Sequence, residues 1–297
     1  MDENINLPED KLNTHIFRII SFDRIIEILE SQKNTLTRPE RWDDPFETLI
    51  NFVNVEDNLD YPVKSFGSYI YAQCWTFSEE NDLLWRVYSP ERDGVRIRST
   101  PSKLLNSLNK SSTIVKIKEH PEILEQWPVG EEKDYVETPE GDLVPVFDDS
   151  ITISQVIQPF IGQVEYLTIN QIRNYLAGIR KDSHFYELIR SILIKREPFK
   201  NEEEVRFGVF NFNTLEPSLL SFDSGRFNYD FDINETFDEL VFDPRISRTK
   251  FDGLKDLIKK LGYKNPVLRS SIYDKPDILD FDNDDPFCDD DNLFLGF

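Results

Sequence analysis

The sequence predicts an α+β fold in which strands and amphipathic helices follow one another without a regular repeat. Apolar runs at residues 15–20, 69–77 and 237–242 have the length and composition of strands. Apolar residues in 22–29 and 247–261 instead recur at the spacing of one helix face. The 23 Phe, 11 Tyr and 4 Trp of the 297 residues provide the apolar surface that a folded core requires.

The N-terminal part is expected to run from a strand into a helix. The strand at 15–20 contains Arg18, and Ser21 is the expected N-cap of the helix that follows. Residues 35–47 contain two prolines and paired aspartates, so we expect a loop there.

An aromatic-rich strand at 69–77 is expected to precede a helix that Ser78 or Asn81 caps. Four apolar residues recur at helical spacing in this helix: Leu83, Leu84, Val87 and Tyr88. The next strand, residues 94–98, places Arg96 and Arg98 on one face because side chains alternate along a strand.

The middle of the chain is less regular. Residues 110–165 carry scattered prolines and predict irregular structure. Residues 168–198 predict two helices, with apolar positions at Ile169, Ile172, Leu176, Ile179, Phe185, Leu188, Ile189, Ile192 and Leu193. A later helix is expected to begin at Ser247 and end at Gly262, before a short strand at 267–269.

Three consecutive glutamates lead into a strand at 202–210, which is followed by a loop rich in Phe, Asp and Asn. Alternation places Glu202, Glu204 and Arg206 on one face of this strand. Charged groups on a sheet face destabilise it unless they are paired or solvated, so this face is a candidate wall of a polar cleft. The alternative is a strand end whose carboxylates face water.

Composition and missing motifs narrow the classes of function. The chain has 34 basic and 56 acidic residues, a net charge of -22, so only a local groove with Arg96 and Arg98 would attract nucleic acid. Cys74 and Cys288 form no Cys-x-x-Cys pair, and the three histidines lack metal-ligand spacing, so no metal site is expected. No apolar run reaches the roughly 18 residues of a membrane span. We expect a cytoplasmic protein without membrane contact.

Four segments, in this order, resemble a bacterial family of unassigned function. They are the strand and helix at 17–29, the box Trp42-Asp43-Asp44-Pro45-Phe46-Glu47, the segments at 74–78 and 84–88, and the Glu-x-Glu-x-Arg strand at 199–206. That family is in turn similar to the ADP-ribosyltransferase fold. The resemblance implies one domain over residues 1–273, with an ADP-ribosyltransferase-like split β-sheet, peripheral helices and a helical insertion at about 150–198.

The resemblance also implies a reaction. NAD would be the substrate, and ADP-ribose would pass to a macromolecular acceptor, a protein, RNA or DNA, in a bacterial toxin or antiphage-defence effector. Cleavage of the nicotinamide–ribose bond passes through an oxocarbenium-like state, which a nearby carboxylate stabilises. Glu204 is expected in this role, and Glu202 is expected to activate or position the acceptor nucleophile.

The remaining site residues follow from the same resemblance. Arg18 is expected to bind the phosphates or ribose of NAD, and Thr76 or Ser78 to support Glu204. The alternative for Arg18 is a structural ion pair with Glu47 or Glu204.

Aromatic residues are the expected contacts of the nicotinamide ring. Trp75, Trp85 or Tyr88 would stack on it. The alternative is that Trp85 and Tyr88, spaced as helix neighbours, belong to the core.

Residues 274–297 form an acidic segment with spaced apolar residues, which predicts a flexible tail. Docking of an antitoxin or chaperone, folding back onto the same chain and simple solubilisation are all open. The alternative function for the whole chain is a non-enzymatic acidic module that binds a basic partner or mimics nucleic acid.

Overall fold

The computed structural model describes residues 3–42, 70–110, 155–178, 190–211 and 225–274, together with the short strands at 114–116, 135–137 and 143–145. A ten-stranded, mostly antiparallel sheet dominates this part of the chain. The predicted α+β class is therefore confirmed.

The strands of the described residues are β1 Ile16–Ser21, β2 Lys33–Thr37, β3 Ile70–Thr76, β4 Gly94–Ser99, β5 Ile114–Lys116, β6 Tyr135–Glu137, β7 Leu143–Pro145, β8 Gln155–Gln163, β9 Glu165–Leu167, β10 Ile194–Arg196, β11 Glu204–Asn211, β12 Arg226–Asp230, β13 Glu239–Phe242 and β14 Val267–Arg269. The α-helices are α1 Phe22–Ser31, α2 Asp82–Tyr88, α3 Pro101–Asn109, α4 Ile169–Gly178, α5 Ile233–Thr236 and α6 Arg248–Lys260. Short 3₁₀ helices cover Glu9–Lys11, Pro39–Arg41 and Glu197–Glu202.

The large sheet consists of two halves that meet at one point. Its strand order is β14-β13-β4-β1-β3-β11-β8-β5, with β2 joined to β3 and β12 joined to β2. Strand β1 pairs with β4 from Ile16 to Ser21, and β3 pairs with β11 over its whole length. Between β1 and β3 the pairing is limited to Phe17 and Thr76. The sheet is therefore split between its two central strands.

One face of the sheet forms the hydrophobic core. Alternation along the strands buries Ile16, Trp75, Ile97, Val205 and Phe207 on this face. Helices α1, α3 and α6 add buried side chains to the same cluster, among them Ile25, Ile28, Leu104, Leu108 and Ile258.

The opposite face is polar near the split. It carries Cys74 and Thr76 from β3 opposite Arg206 and Glu204 from β11. The segment 190–203 covers this face, because the Arg206 guanidinium donates to the Ile192 carbonyl and Leu193 packs against Gly162 of β8.

Several predicted boundaries are confirmed by local interactions. The Asn81 side chain accepts a hydrogen bond from the Leu84 N–H at 2.8 Å and caps α2. The Ser247 hydroxyl accepts from the Lys250 N–H at 3.3 Å and caps α6. Gly262 follows α6 with φ of 100°, the left-handed conformation that favours glycine at a helix end.

Two strands occupy segments that were expected to be loops. β2 begins before the expected loop at 35–47 and covers its first three residues, and β12 lies between residues 211 and 236. They pair with each other over five residues, and the pairing buries Leu36, Phe227 and Tyr229. The prediction failed because neither short strand is distinctive until its partner, far along the chain, is known.

The predictions for residues 110–198 need two corrections. β8 lies in the segment expected to be irregular. Pro159 and Gly162 weaken the strand character of its sequence, but its pairing with β11 over seven residues holds it as a strand. Ile192 and Leu193, expected on a helix face, lead instead into β10, which pairs in parallel with β9. The segment predicted as a helical insertion at about 150–198 therefore contains β8, β9 and β10 besides α4 among its described residues.

The buried face of α2 also differs from the prediction. Leu84 and Trp85 are buried, whereas Leu83 and Val87 are 64% and 56% exposed. A helix of only seven residues offers a narrow buried stripe, and the large indole of Trp85 occupies it.

Some predictions fall outside the described residues. These are the box residues 43–47, the apolar positions at 185–189 and the acidic segment 275–297. Among the residues that the structure does describe, no helix is long and apolar enough to span a membrane.

Gly208 tests the packing of β11 against β3. A Cβ at this position would lie 2.4 Å from the Tyr71 carbonyl oxygen and 2.9 Å from the Ala72 Cβ. We expect Gly208→Ala to lower the free energy of unfolding by roughly 1–3 kcal/mol, because backbone has to move.

Gly253→Ala is the matched control. Gly253 is exposed in α6, with nothing within 4 Å of an added Cβ, so alanine should stabilise the helix by about 1 kcal/mol. Urea unfolding measures both variants. Equal stability of Gly208→Ala and wild type would contradict the described packing.

Candidate active site in the split of the sheet

A cavity of about 430 Å³ lies at the split. Strand β1 contributes Phe17, Arg18 and Ile19 to its walls, and β3 contributes residues 73–76. The volume is in the range of small-molecule binding pockets. Because β1 and β3 pair only at Phe17 and Thr76, side chains from both strands border the same space.

The strand register shows that the cavity reaches both faces of the sheet. Arg18, Gln73 and Trp75 point to the core face, since Arg18 is the partner of Ile97 and Trp75 the partner of Val205. Glu204 and Thr76 belong to the polar face. The cavity is lined by residues of both faces: Arg18, Gln73, Trp75, Thr76 and Glu204. A ligand in the cavity therefore meets groups from either side of the sheet.

Glu204 is the most constrained charged group of the cavity. Its side chain is nearly buried, with the residue 4% exposed. One carboxylate oxygen accepts from Arg206 Nε at 2.8 Å, and the other accepts from Lys195 Nζ at 3.1 Å and from Arg206 Nη2 at 3.3 Å. Two cations thus fix the orientation of this carboxylate.

These partners determine the charge state of Glu204. Burial alone would raise the pKa of the carboxyl, but the Arg206 and Lys195 charges and a hydrogen bond with the Cys74 side chain outweigh it and lower the pKa to about 2. Glu204 is ionised at neutral pH.

Glu202 reaches the cavity by a different route from the one expected. It ends the 3₁₀ helix Glu197–Glu202, and Glu203 then adopts a left-handed φ of 45°, so β11 begins only at Glu204. The prediction that Glu202 shares the strand face of Glu204 is therefore wrong. Its carboxylate nevertheless lines the cavity and accepts from Lys195 Nζ at 2.6 Å.

Thr76 and Ser78 support this turn through the backbone rather than through a carboxylate. Thr76 Oγ1 donates to the Glu202 carbonyl at 2.5 Å and accepts from the Ser78 N–H at 2.9 Å. The Phe77 N–H donates to the Glu203 carbonyl at 3.1 Å. The side-chain group that does hydrogen-bond with the Glu204 carboxylate from β3 is Cys74.

Arg18 is a cation that lines the cavity and has no anionic partner among the described residues. Among the described residues, no carboxylate or other acceptor makes an ion pair or hydrogen bond with its guanidinium. The alternative ion pair with Glu204 is absent from the structure, and Glu47 lies outside the described residues. Burial lowers the pKa of Arg18 to about 10, so the side chain stays charged at neutral pH. An uncompensated cation in a cavity favours an anionic ligand.

The aromatic predictions have different outcomes. Trp85 is fully buried, its indole N–H donates to Glu80 Oε1 at 2.7 Å, and it does not line the cavity. The prediction that Trp85 contacts the ligand is corrected, because the ring packs in the core. Tyr88 lines the cavity and is half-exposed, and burial of its hydroxyl together with the Glu202 charge raises its pKa. Trp75 lines the cavity but is almost fully buried.

Sequence reasoning did not assign Cys74, Lys195 or Phe199 to the site. The i, i+2 spacing did place Arg206 on the face of Glu204, and the structure shows that the two are ion-paired. No sequence pattern indicated a role for Lys195, because it lies in a stretch whose apolar residues have the spacing of a helix face. Its ammonium also lies 5.0 Å from the centroid of the Phe199 ring, which lines the cavity.

The comparison with known proteins finds distant structural similarity and no match in sequence. No family model and no curated protein matches the sequence. Two solved structures of DarT from Thermus sp. 2.9, one in complex with NAD+ and one with ADP-ribosylated ssDNA, are 9% identical to this chain. Each similarity covers 89% of this chain and 98% or 96% of the DarT chain, with a TM-score of 0.32. A score this low carries no argument about the site.

The lowered pKa of Glu204 makes stability depend on pH. Because the pKa in the folded state lies below the ordinary value of 4.5, the ion pairs stabilise the fold fully above about pH 4.5, and this contribution is lost as the pH falls towards 2. We expect wild type to exceed Glu204→Gln in free energy of unfolding by roughly 3 kcal/mol at pH 7, and by progressively less below pH 4.5.

Denaturant unfolding at a series of pH values measures this difference. Glu30→Gln is the matched control, since Glu30 is exposed on α1. A difference between wild type and Glu204→Gln that stays constant with pH would show that the carboxylate is not stabilised by these cations.

Proposed function

We propose that the chain is an NAD-dependent ADP-ribosyltransferase that modifies a macromolecular acceptor, a protein, RNA or DNA, as a bacterial toxin or antiphage-defence effector. The observation that carries the proposal is the cavity in the split sheet, which brings Arg18 of β1 and Glu204 of β11 to one ligand-sized space. These are the two residues that the resemblance in sequence assigns to NAD binding and catalysis. The two DarT structures do not support the proposal, because their TM-score of 0.32 is too low.

The charge of the cavity supports an anionic substrate. The chain carries a net charge of -22, yet four basic residues line the cavity against three glutamates. The basic residues are Arg18, Arg41, Arg96 and Lys195. Even with Arg96 paired to Glu239, the lining carries as many basic as acidic residues, so it repels a dinucleotide with its two phosphates less than the rest of the chain does. In this proposal Arg18, the cation without a partner among the described residues, binds the phosphates or the adjoining ribose.

The carboxylates support the chemistry of ADP-ribosyl transfer. When the bond between the ribose C1′ and the nicotinamide nitrogen breaks, its electron pair leaves with nicotinamide and positive charge develops on the ribose. Glu204, ionised and held by Arg206 and Lys195, stabilises that charge and accepts a hydrogen bond from a ribose hydroxyl. The fixed carboxylate needs no reorientation during the reaction.

Glu202 is suited to the acceptor side of the reaction. Its side chain is 28% exposed, compared with 5% for Glu204, so an incoming nucleophile can reach it from solvent. Glu202 takes the proton of the nucleophile as the new bond to C1′ forms. Thr76 and Ser78 hold the turn that presents it, and Tyr88 is the exposed ring at the cavity that can contact nicotinamide.

The basic residues expected to attract nucleic acid are engaged elsewhere. Arg96 lies 3.3 Å and Arg98 3.5 Å from Glu239 of β13, and Arg96 is buried. Recognition of a nucleic-acid acceptor by these two residues is therefore not supported. The alternative function, an acidic module that binds a basic partner, accounts for the net charge but not for the cavity.

Glu204→Gln tests the catalytic role. The substitution keeps the shape of the side chain and removes its charge, so we expect NAD turnover, measured as nicotinamide release, to fall about 100-fold or more. The assay is run at a temperature where circular dichroism shows the variant to be folded. Glu30→Gln should retain wild-type turnover. A folded Glu204→Gln protein with undiminished turnover would exclude Glu204 as the catalytic carboxylate.

Arg18 is tested by a pair of substitutions. Arg18→Ala should raise the KM for NAD about tenfold or more, and Arg18→Lys should raise it less, because lysine keeps the charge but loses the planar fork. Neither should lower the melting temperature, since Arg18 has no partner in the described part of the chain. Arg173→Ala, an exposed change on α4, is the control. Reduced stability with an unchanged KM would identify Arg18 as structural.

A further inference from the structure

One ammonium group lies between the two carboxylates to which the proposed function gives different roles. Lys195 Nζ donates to Glu202 Oε2 at 2.6 Å and to Glu204 Oε2 at 3.1 Å. Lys195 is only 8% exposed, and the Phe199 ring lies beside its ammonium. Charges interact more strongly in such a place than in water, so Lys195 is well placed to control both glutamates.

The fold places Lys195 at this point through the pairing of β9 with β10. Lys195 of β10 is the register partner of Tyr166 of β9. The Tyr166 hydroxyl accepts from the Glu204 N–H at 2.9 Å. Partner residues of these two strands therefore hold Glu204 at its main chain and at its side chain. The position of Lys195 is set by backbone pairing as well as by charge.

The charges at this point balance only because Lys195 is present. Glu202 and Glu204 face two cations, since Arg206 also pairs with Glu204 at 2.8 Å. Among the described residues, Lys195 is the only cation within ion-pairing distance of Glu202. Without Lys195 the two carboxylates would have one cation between them. Neighbouring like charges that are shielded from water favour a shared proton over full ionisation.

The other titratable groups around the two carboxylates supply no positive charge. Burial raises the pKa of Tyr88 of α2 and of Tyr166 of β9, so both hydroxyls are neutral at neutral pH. Cys74 of β3 contributes a hydrogen bond to Glu204. Arg18 makes no ion pair with either carboxylate in the described part of the chain. None of these groups can replace Lys195.

We propose that Lys195 is a positioning residue that allows Glu202 and Glu204 to be ionised at the same time. The inference rests on the proposed function and deepens it, because that function requires both charges in one turnover. Glu204 stabilises the positive charge on the ribose as nicotinamide leaves, and Glu202 takes the proton of the nucleophile as the bond to C1′ forms. If the two glutamates shared a proton, one of these roles would be lost.

A titration of the glutamate carboxyl carbons by NMR tests this role without NAD. The full chain is labelled with ¹³C-glutamate, and the signals of Glu202 and Glu204 are assigned through single Glu→Gln variants. In Lys195→Met the two carboxyls should lose their last shared proton at a pH about one unit or more above that of wild type. Lys195→Arg keeps the charge and should titrate as wild type does.

Lys103→Met is the matched control for the titration. Lys103 is also ion-paired, with Asp238, but it does not line the cavity. Its loss should leave the titration of Glu202 and Glu204 unchanged. Unchanged titration of both carboxyls in Lys195→Met would overturn the inference, whatever the turnover of the variant.

The pH profile of nicotinamide release connects the titration with the reaction. Relative to wild type, kcat/KM for NAD in Lys195→Met should fall about tenfold or more as the pH is lowered from 8 to 5, because one carboxylate becomes protonated. The ratio for Lys195→Arg should stay constant. A lysine that only stabilises the fold would lower kcat/KM by the same factor at every pH, and this result would also overturn the inference.

Two further outcomes are decisive. If Lys195→Met does not fold, Glu202→Gln is added to it, because one carboxylate and Arg206 then remain in balance. Folding of this double variant supports the inference, and its failure to fold overturns it. If the titration shifts as expected but wild type releases no nicotinamide from NAD, the proposed function fails and the control of ionisation by Lys195 stands.

Discussion

The site depends on the limited pairing between β1 and β3. These strands are neighbours at the centre of the sheet, but only Phe17 and Thr76 pair across them. Continuous pairing would close the space between the strands and separate the two faces of the sheet. The divergence instead lets Arg18 and Gln73 from the core face share one cavity with Glu204 from the polar face. The proposed binding and chemistry both follow from this break.

Charge is distributed in opposite ways inside and outside the cavity. A chain with a net charge of -22 holds a buried carboxylate, Glu204, between Arg206 and Lys195. Those pairs keep Glu204 ionised despite its burial, which a stabiliser of positive charge requires. Arg18 has no such pairing among the described residues, so the part of the cavity near it remains available to an anion. The two charged groups are thus prepared for different parts of one substrate.

The sequence was sufficient to predict features that local patterns determine. The caps at Asn81 and Ser247 and the strand that carries Arg18 follow from residue types a few positions apart. Lys195 could not be predicted, because its position depends on β10 pairing with β9, which lies more than twenty residues earlier in the chain. Glu202 was assigned to the wrong element because Glu203 adopts a left-handed conformation, for which glutamate gives no sequence signal.

The most direct test of the central claim is a crystal structure of the protein with a non-cleavable NAD analogue. The account predicts that the analogue occupies the split of the sheet, with its phosphates or the adjoining ribose at Arg18 and the nicotinamide ribose beside Glu204. An analogue bound elsewhere on the protein, or an empty cavity at a concentration that saturates binding in solution, would contradict it.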